Sequence, residues 1–189
     1  MQQTSRSYLG TSLCAVIATV AALSFSDIAR AAEPAAVVQP AATTRTPPPP
    51  PARGPALDAA LEAAQVAVAT CTANGYKVGV TVLDSAGIQK VVLAADGASQ
   101  RGVESGAGKA FTVITYKKSS AEVAKLAETD KELAAQLAAD PKQRARAGAL
   151  PLFVGNELIG AIGVGGAPGG DKDEACAAAG IAKVKGLLR

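Results

Sequence analysis

The chain of 189 residues contains no histidine and no tryptophan. Without histidine, Ser-His-Asp and Cys-His nucleophilic centres and imidazole-ligated metal sites are excluded. Aromatic residues make up 3% of the chain, too few to build a base-stacking platform for single-stranded nucleic acid. Charge of one sign is also scarce: 19 Lys and Arg against 16 Asp and Glu give a formal net charge of +3. Removing residues 1–31 takes away Arg6, Arg30 and Asp27, so 17 against 15 leaves +2. Such a balance gives no electrostatic case for a nucleic-acid partner. The two cysteines left after that removal, Cys71 and Cys176, and scattered carboxylates do not make a structural zinc site, and no metal site is expected.

Long apolar runs are confined to the start. Arg6 precedes an uncharged, mostly apolar run from Leu13 to Phe25, and Ala29-Arg30-Ala31 supplies an A-x-A pattern. These features read as a secretory signal over residues 1–31, cleaved after Ala31, with a retained anchor as the alternative. The run is short for a membrane span, which needs about 20 residues. Cys14 stands at the start of the run rather than after it, which is the wrong place for a lipid anchor. Residues 32–55 follow, rich in Ala, Pro and Thr, with Pro47 to Pro51 in one block. Consecutive prolines favour extended polyproline II and cannot form a core, so this segment reads as a tether. The expectation is therefore an exported protein, periplasmic or secreted, with a single domain over 56–189 and no membrane contact after cleavage.

The domain shows a legible order. Ala56, Leu57, Leu61, Ala64, Val68 and Cys71 fall at helical spacing, with Pro55 at the start and Asn74-Gly75 at the end. "YKVGVTVLD" and "IQKVVLAAD" read as strands joined by the turn "DSAG". A helix is predicted around "GKAFTVITYKK". Another follows through "AEVAKLAETDKELAAQLA", opened by a Ser119/Glu122 capping box and ended by Asp140-Pro141. "LPLFV" and "LIGAIGV" form a second hairpin through Gly155-Asn156. The last helix carries Ala177, Ile181, Val184 and Leu188 on one face, with Asp171 and Glu174 matching a D-x-x-E cap and the Asp171/Asp173 pair also explained by capping. The order helix–hairpin–helix–helix–hairpin–helix implies antiparallel pairing and an α+β class.

The glycines of Gly160–Cys176 miss both nucleotide motifs. Pro168 stands at the third position of the G-x-G-x-x-G fingerprint, and Asp171 where a P-loop needs lysine. Gly160, Gly163 and Gly165 lie inside a strand pattern, where glycine is unfavourable unless a packed helix or a flat ligand comes close to the backbone. Cys71 and Cys176 lie on two helices of an exported chain, which points to a disulfide, with two separate buried thiols as the alternative. No residue is assigned a catalytic role. Lys109 in "GAGKAFT" is a candidate amine if desolvated, or else an ion-pair or pocket lysine, and "KQRARAG" reads as a solvated connector.

"VTVLDSAG", "ADGA", "GKAFT" and "GNELIGAIGVGGAPGGDKDEACAAAG" resemble the GlcG/HbpS haem-binding family over essentially all of residues 57–189. The resemblance implies an antiparallel sheet of about five strands flanked by helices, self-assembly into homo-oligomers, and in some members haem binding or degradation. In many exported relatives a histidine follows "DGA", whereas here the segment reads Ser99-Gln100-Arg101. Arginine does not ligate haem iron, but Arg101 can pair with a propionate or another carboxylate. The remaining family-matched candidates are Lys109, Thr112 and Tyr116, tyrosine being a known ligand of ferric haem, with a cysteine as the other axial candidate if the disulfide is absent. Three functions stay open on these residues. One is an exported protein binding a small molecule, haem or a related porphyrin, in a pocket near residues 96–116. The second is a ligand-free oligomeric partner-binding module, and the third an enzyme acting on a small carboxylate or carbonyl through Lys109.

Overall fold

The structure is a computed structural model that describes residues 51–189. The leader-like segment with Cys14, and the tether up to Pro50, lie outside the described residues. The domain runs α1 (Leu57–Ala73), β1 (Gly79–Asp84), β2 (Gln89–Ala94), α2 (Gln100–Tyr116), α3 (Ser120–Ala127), α4 (Lys131–Ala139), β3 (Ala149–Val154), β4 (Glu157–Gly165) and α5 (Gly170–Val184). The α+β class and both hairpins are present. Among the described residues the sheet has four antiparallel strands in the order β2-β1-β4-β3, where the resemblance implied about five. Pro151 lies in β3, an edge strand, where its missing N–H costs no central ladder bond. No helix among the described residues is long and apolar enough to cross a membrane.

Both faces of the sheet are covered, so all six residues of β1 are buried. On one face Val80 and Val82 pair across to Val164 and Ile162, and this row packs against α1 and α5. Burying each such aliphatic side chain contributes about 1.5–3 kcal/mol. On the other face Leu83 and Ala161 meet Ala110 and Val113 of α2. There α2 sits unusually close to the strands. A Cβ at Gly106 would stand 2.9 Å from the Gly79 carbonyl oxygen and 3.1 Å from that of Gly163. A Cβ at Gly163 would collide with the Gly106 carbonyl, and one at Gly165 would lie 2.5 Å from that of Gly102. The strand glycines are thus explained by a packed helix, the first of the two expectations.

Four local differences from the sequence reading have physical causes. First, α1 buries Ala59, Ala60, Ala63, Ala64, Ala67 and Cys71, while Leu57 and Leu61 are 61% and 39% exposed. α1 packs against α5 so closely that a Cβ at Gly180 would strike the Ala63 carbonyl, and only alanines fit that seam. Second, α2 begins at Gln100 rather than near Gly108, because the Ser99 hydroxyl caps it by accepting from the Gly102 N–H at 3.1 Å. Its glycines, which lower helix propensity, are retained where the sheet leaves no room for side chains. Third, the predicted long helix is split into α3 and α4, because the Asp130 carboxylate accepts from the Glu132 and Leu133 N–H groups at 3.0 Å and starts a new helix. The Ser119/Glu122 box does open α3, and its bonds from the Ser119 hydroxyl and backbone N–H hold the Glu122 carboxyl below the usual carboxylate range.

Fourth, Asp171 and Glu174 do not cap α5. Its N-cap is Gly169, with no side-chain cap bond, while the Glu174 carboxylate turns back to accept from the Gly148 N–H at 3.3 Å. Cys71 and Cys176 form the disulfide, with Cα atoms 5.6 Å apart and a sequence separation of 105. It ties the end of α1 to the start of α5 across the alanine seam. Replacing both cysteines with alanine is expected to lower the unfolding free energy by roughly 2–5 kcal/mol, since a crosslink over so long a loop constrains the unfolded chain strongly. Equilibrium urea unfolding checks this. An unchanged midpoint, or two reactive thiols in unfolded but unreduced protein, would contradict it.

Candidate functional site

One end of the domain gathers the chemistry-bearing residues. It is formed by the stretch after α1 (Tyr76–Val78), the β2–α2 connection (Ala95–Ser99) with the first turn of α2, and the turn from β4 into α5 (Gly166–Gly170). Gly166, at φ +121°, lies so close to Lys77 that a Cβ there would be 2.6 Å from the Lys77 carbonyl oxygen. The Lys77 side chain in turn crowds Gly97, at φ +76°. These two glycines let the three segments meet, and two grooves lie on this end.

The larger groove, of about 570 Å³, is lined by Val68 and Ala69 of α1, Leu93 and Ala94 of β2, and Tyr76, with Lys77 and Asp96 at its polar margin. Its walls are mostly apolar and its volume lies within the range of small-molecule sites. The ring of Tyr76 is half-buried, and the Lys172 ammonium sits over it, 5.6 Å from its centroid, a cation–π arrangement. Sequence reading did not single out Tyr76. Its signal is a lone tyrosine between a helix stop and a buried strand.

The smaller groove, of about 180 Å³, lies between the first turn of α2 and that of α5. Arg101 and Arg146 line it, and Lys109 and Asp173 form part of its wall. The Lys109 Nζ donates to Asp173 Oδ2 at 2.6 Å and to the Val164 carbonyl at 2.9 Å, and the two side chains are 3% and 4% exposed. The second oxygen of Asp173 accepts from the Ala167 N–H at 2.9 Å. This buried pair fastens α2 to α5 and to the glycine turn. The D-K-D-E carboxylates were expected to be capping groups, and for Asp173 that is corrected. The signal was its spacing: Asp173, Ala177, Gly180 and Val184 share the buried face of α5. On α2, Lys109 lies on the face that carries Gly102, Gly106 and Val113.

Of the candidates named from sequence, Arg101 and Lys109 come together in the smaller groove. Thr112 is fully buried beside the 140–148 connector, where its hydroxyl donates to the Gly108 carbonyl at 3.0 Å and accepts from the Arg144 N–H at 2.9 Å. Tyr116 is half-buried at the far end of α2, fifteen residues and about 22 Å of helix axis from Arg101. It lines neither groove. "KQRARAG" is partly a solvated connector, but Arg146 within it completes the basic groove. No cluster of three or more metal-ligating side chains occurs among the described residues.

Residues 56–182 match the family model described as haem degrading protein HbpS-like. The chain belongs to this HbpS-like family. A solved structure of HbpS shares 34% identity, with a TM-score of 0.66 over 74% of this chain and 96% of that one. A double mutant of HbpS from Streptomyces reticuli gives the same identity and TM-score, over 80% of this chain and 99% of that one. The haem complex of PduOC shares 20% identity, with a TM-score of 0.63 over 72% and 99% of the two chains, a likeness of fold alone. No curated protein matches the chain.

The buried pair yields a direct expectation. Removing one partner, as in Asp173→Leu or Lys109→Met, should cost about 3–5 kcal/mol because a charge is stranded in the interior. The double change Lys109→Met with Asp173→Leu should restore much of that loss. A double-mutant cycle by chemical unfolding checks this, and additive losses would contradict the pairing.

Proposed function

We propose that this HbpS-like domain is an exported binding protein for haem or a related porphyrin, held against the larger groove. Export rests on the leader-like features of residues 1–31. The observation that carries the ligand reading is the groove itself. It alone, of the two at this end, combines porphyrin-scale volume and apolar walls at Val68 and Leu93 with a phenol at Tyr76. The smaller groove is too small to enclose a macrocycle. A chain without histidine has to ligate ferric haem through another donor, and a tyrosine oxygen is an established one. Lys77 and Lys172, both exposed beside Tyr76, supply positive charge for propionates. When bound, the haem would bring iron redox chemistry; the chain contributes an apolar surface, an oxygen donor and cations.

The enzyme reading through Lys109 has less support, because its Nζ is committed to Asp173 and Val164. Self-assembly remains part of the proposal, drawn from the family resemblance. Titrating the purified domain with hemin should give a saturable Soret shift at micromolar protein. Tyr76→Phe should change the ferric spectrum and weaken binding at least about tenfold, the loss expected for a strong polar contact. Tyr116→Phe should leave both unchanged. A titration that never saturates would overturn the haem reading, and sensitivity to Tyr116 rather than Tyr76 would overturn the placement.

A further inference from the structure

The smaller groove is not explained by a porphyrin, and its charge is unusual. Three cations, Arg101, Arg146 and Lys109, face it with one carboxylate, Asp173, which sums to +2. Asp173 is not free to neutralise the arginines. One of its oxygens holds the Lys109 Nζ and the other the Ala167 N–H. Neither Arg101 nor Arg146 forms an ion pair with any described residue. Arg101 comes from the first turn of α2 and Arg146 from the connector before β3, so the fold brings two like charges to one small groove. Both are exposed to water, and an anion seated in the groove would meet two cations at once.

The floor adds directional donors. Lys109, buried and holding a cation with three N–H groups, spends two of them on Val164 and Asp173 and has a third in hand where it lines the groove. The Gly169-Gly170 backbone at the start of α5 also lines it, with no side-chain cap bond on the first N–H groups, while the Asp171 carboxylate and the Ala147 carbonyl fill the places their side chains would take. The exposed Asp171 carboxylate lies against Gly169 at this margin, so it lowers the negative charge the site tolerates. A volume of about 180 Å³ is worth about six waters of liquid, enough for a few heavy atoms.

We infer that this groove is a binding site for an organic carboxylate, clamped by Arg101 and Arg146 over the buried Lys109. Two planar guanidinium forks match the flat carboxylate group, and a net charge of +2 suits a mono- or dicarboxylate. The carboxylate has two possible sources, a free small acid or a propionate reaching over from the neighbouring groove. The inference does not depend on the haem reading.

Calorimetric titration of the purified domain with malonate, malonamide and inorganic phosphate separates these cases. Hemin titrations run in parallel on wild type, Arg101→Gln and Arg146→Gln, both exposed positions whose melting temperatures confirm folding. Malonate should bind and weaken at least about tenfold in each variant, the effect of losing a charge-assisted bond, while malonamide should not bind. Hemin affinity unchanged within about twofold would assign the site to a free acid. A tenfold loss of hemin affinity in both variants would assign it to the propionates. Malonate binding that ignores both substitutions, or phosphate binding as well as malonate, would overturn the inference. So would no response to malonate together with unaltered hemin affinity.

Discussion

The close seat of α2 on the sheet is the constraint on which the rest of this domain depends. Carbonyl oxygens of β1, β4 and α2 approach positions where Gly102, Gly106, Gly163 and Gly165 have no side chains, and Val103 of α2 approaches Gly79 in the same way. Glycine in a helix or strand interior costs on the order of 0.5–1 kcal/mol relative to alanine, so five such positions in one contact represent a sizeable sacrifice of local propensity. The return is geometric. Only at this separation does Lys109, one turn beyond Gly106, reach the Val164 carbonyl and the Asp173 carboxylate with its side chain fully withdrawn from water. The opposite face of the sheet follows the same logic with alanine. α1 and α5 meet along small residues and are locked by Cys71–Cys176. Two small-residue seams, one on each face, stand where a larger domain would use bulky side chains.

These seams converge on one end of the molecule. The disulfide fixes the start of α5 from one side and the Lys109–Asp173 pair fixes it from the other. Between them the Gly166–Gly170 turn is held against Lys77, which sets the wall that separates the two grooves. Rigid support on both sides of a glycine turn is what a binding site needs, because the backbone can then approach a ligand without being free to move away. An apolar groove with a phenol beside a basic groove with two arginines makes this end suited to amphiphilic acids, of which a porphyrin with propionates is one kind.

The class, both hairpins, the α3 cap and the disulfide were legible because each rests on local chemistry: alternating valines, Gly155-Asn156, Ser119 with Glu122, and two cysteines on apolar helix faces. The candidate site was only half legible. Arg101 and Lys109 stood out through the family resemblance, yet Thr112 and Tyr116 follow the same helix away from the groove. Tyr76, Arg146 and Asp173 were not readable as site residues, since each is brought there by a contact between elements far apart in the chain. Asp173 shows the cause clearly. In sequence it is one of three acids near a helix start, where a cap is the ordinary explanation. Only the approach of α2, itself dependent on glycines in a different strand, gives it a buried lysine. The buried alanine face of α1 was missed for a related reason, because leucines outrank alanines in any hydrophobic pattern until the close partner helix is known.

The proposed function holds haem or a related porphyrin at the Tyr76 end of the domain. The most direct test is an amide correlation spectrum of the isotopically labelled domain on addition of hemin, whose ferric iron broadens the resonances of nearby groups. With haem in that place, Val68, Thr72, Tyr76, Leu93 and Ala95 broaden first, while Ile114, Leu126 and Phe153 keep their intensity. Broadening centred on the far end of α2, or spread evenly over the domain, would contradict it.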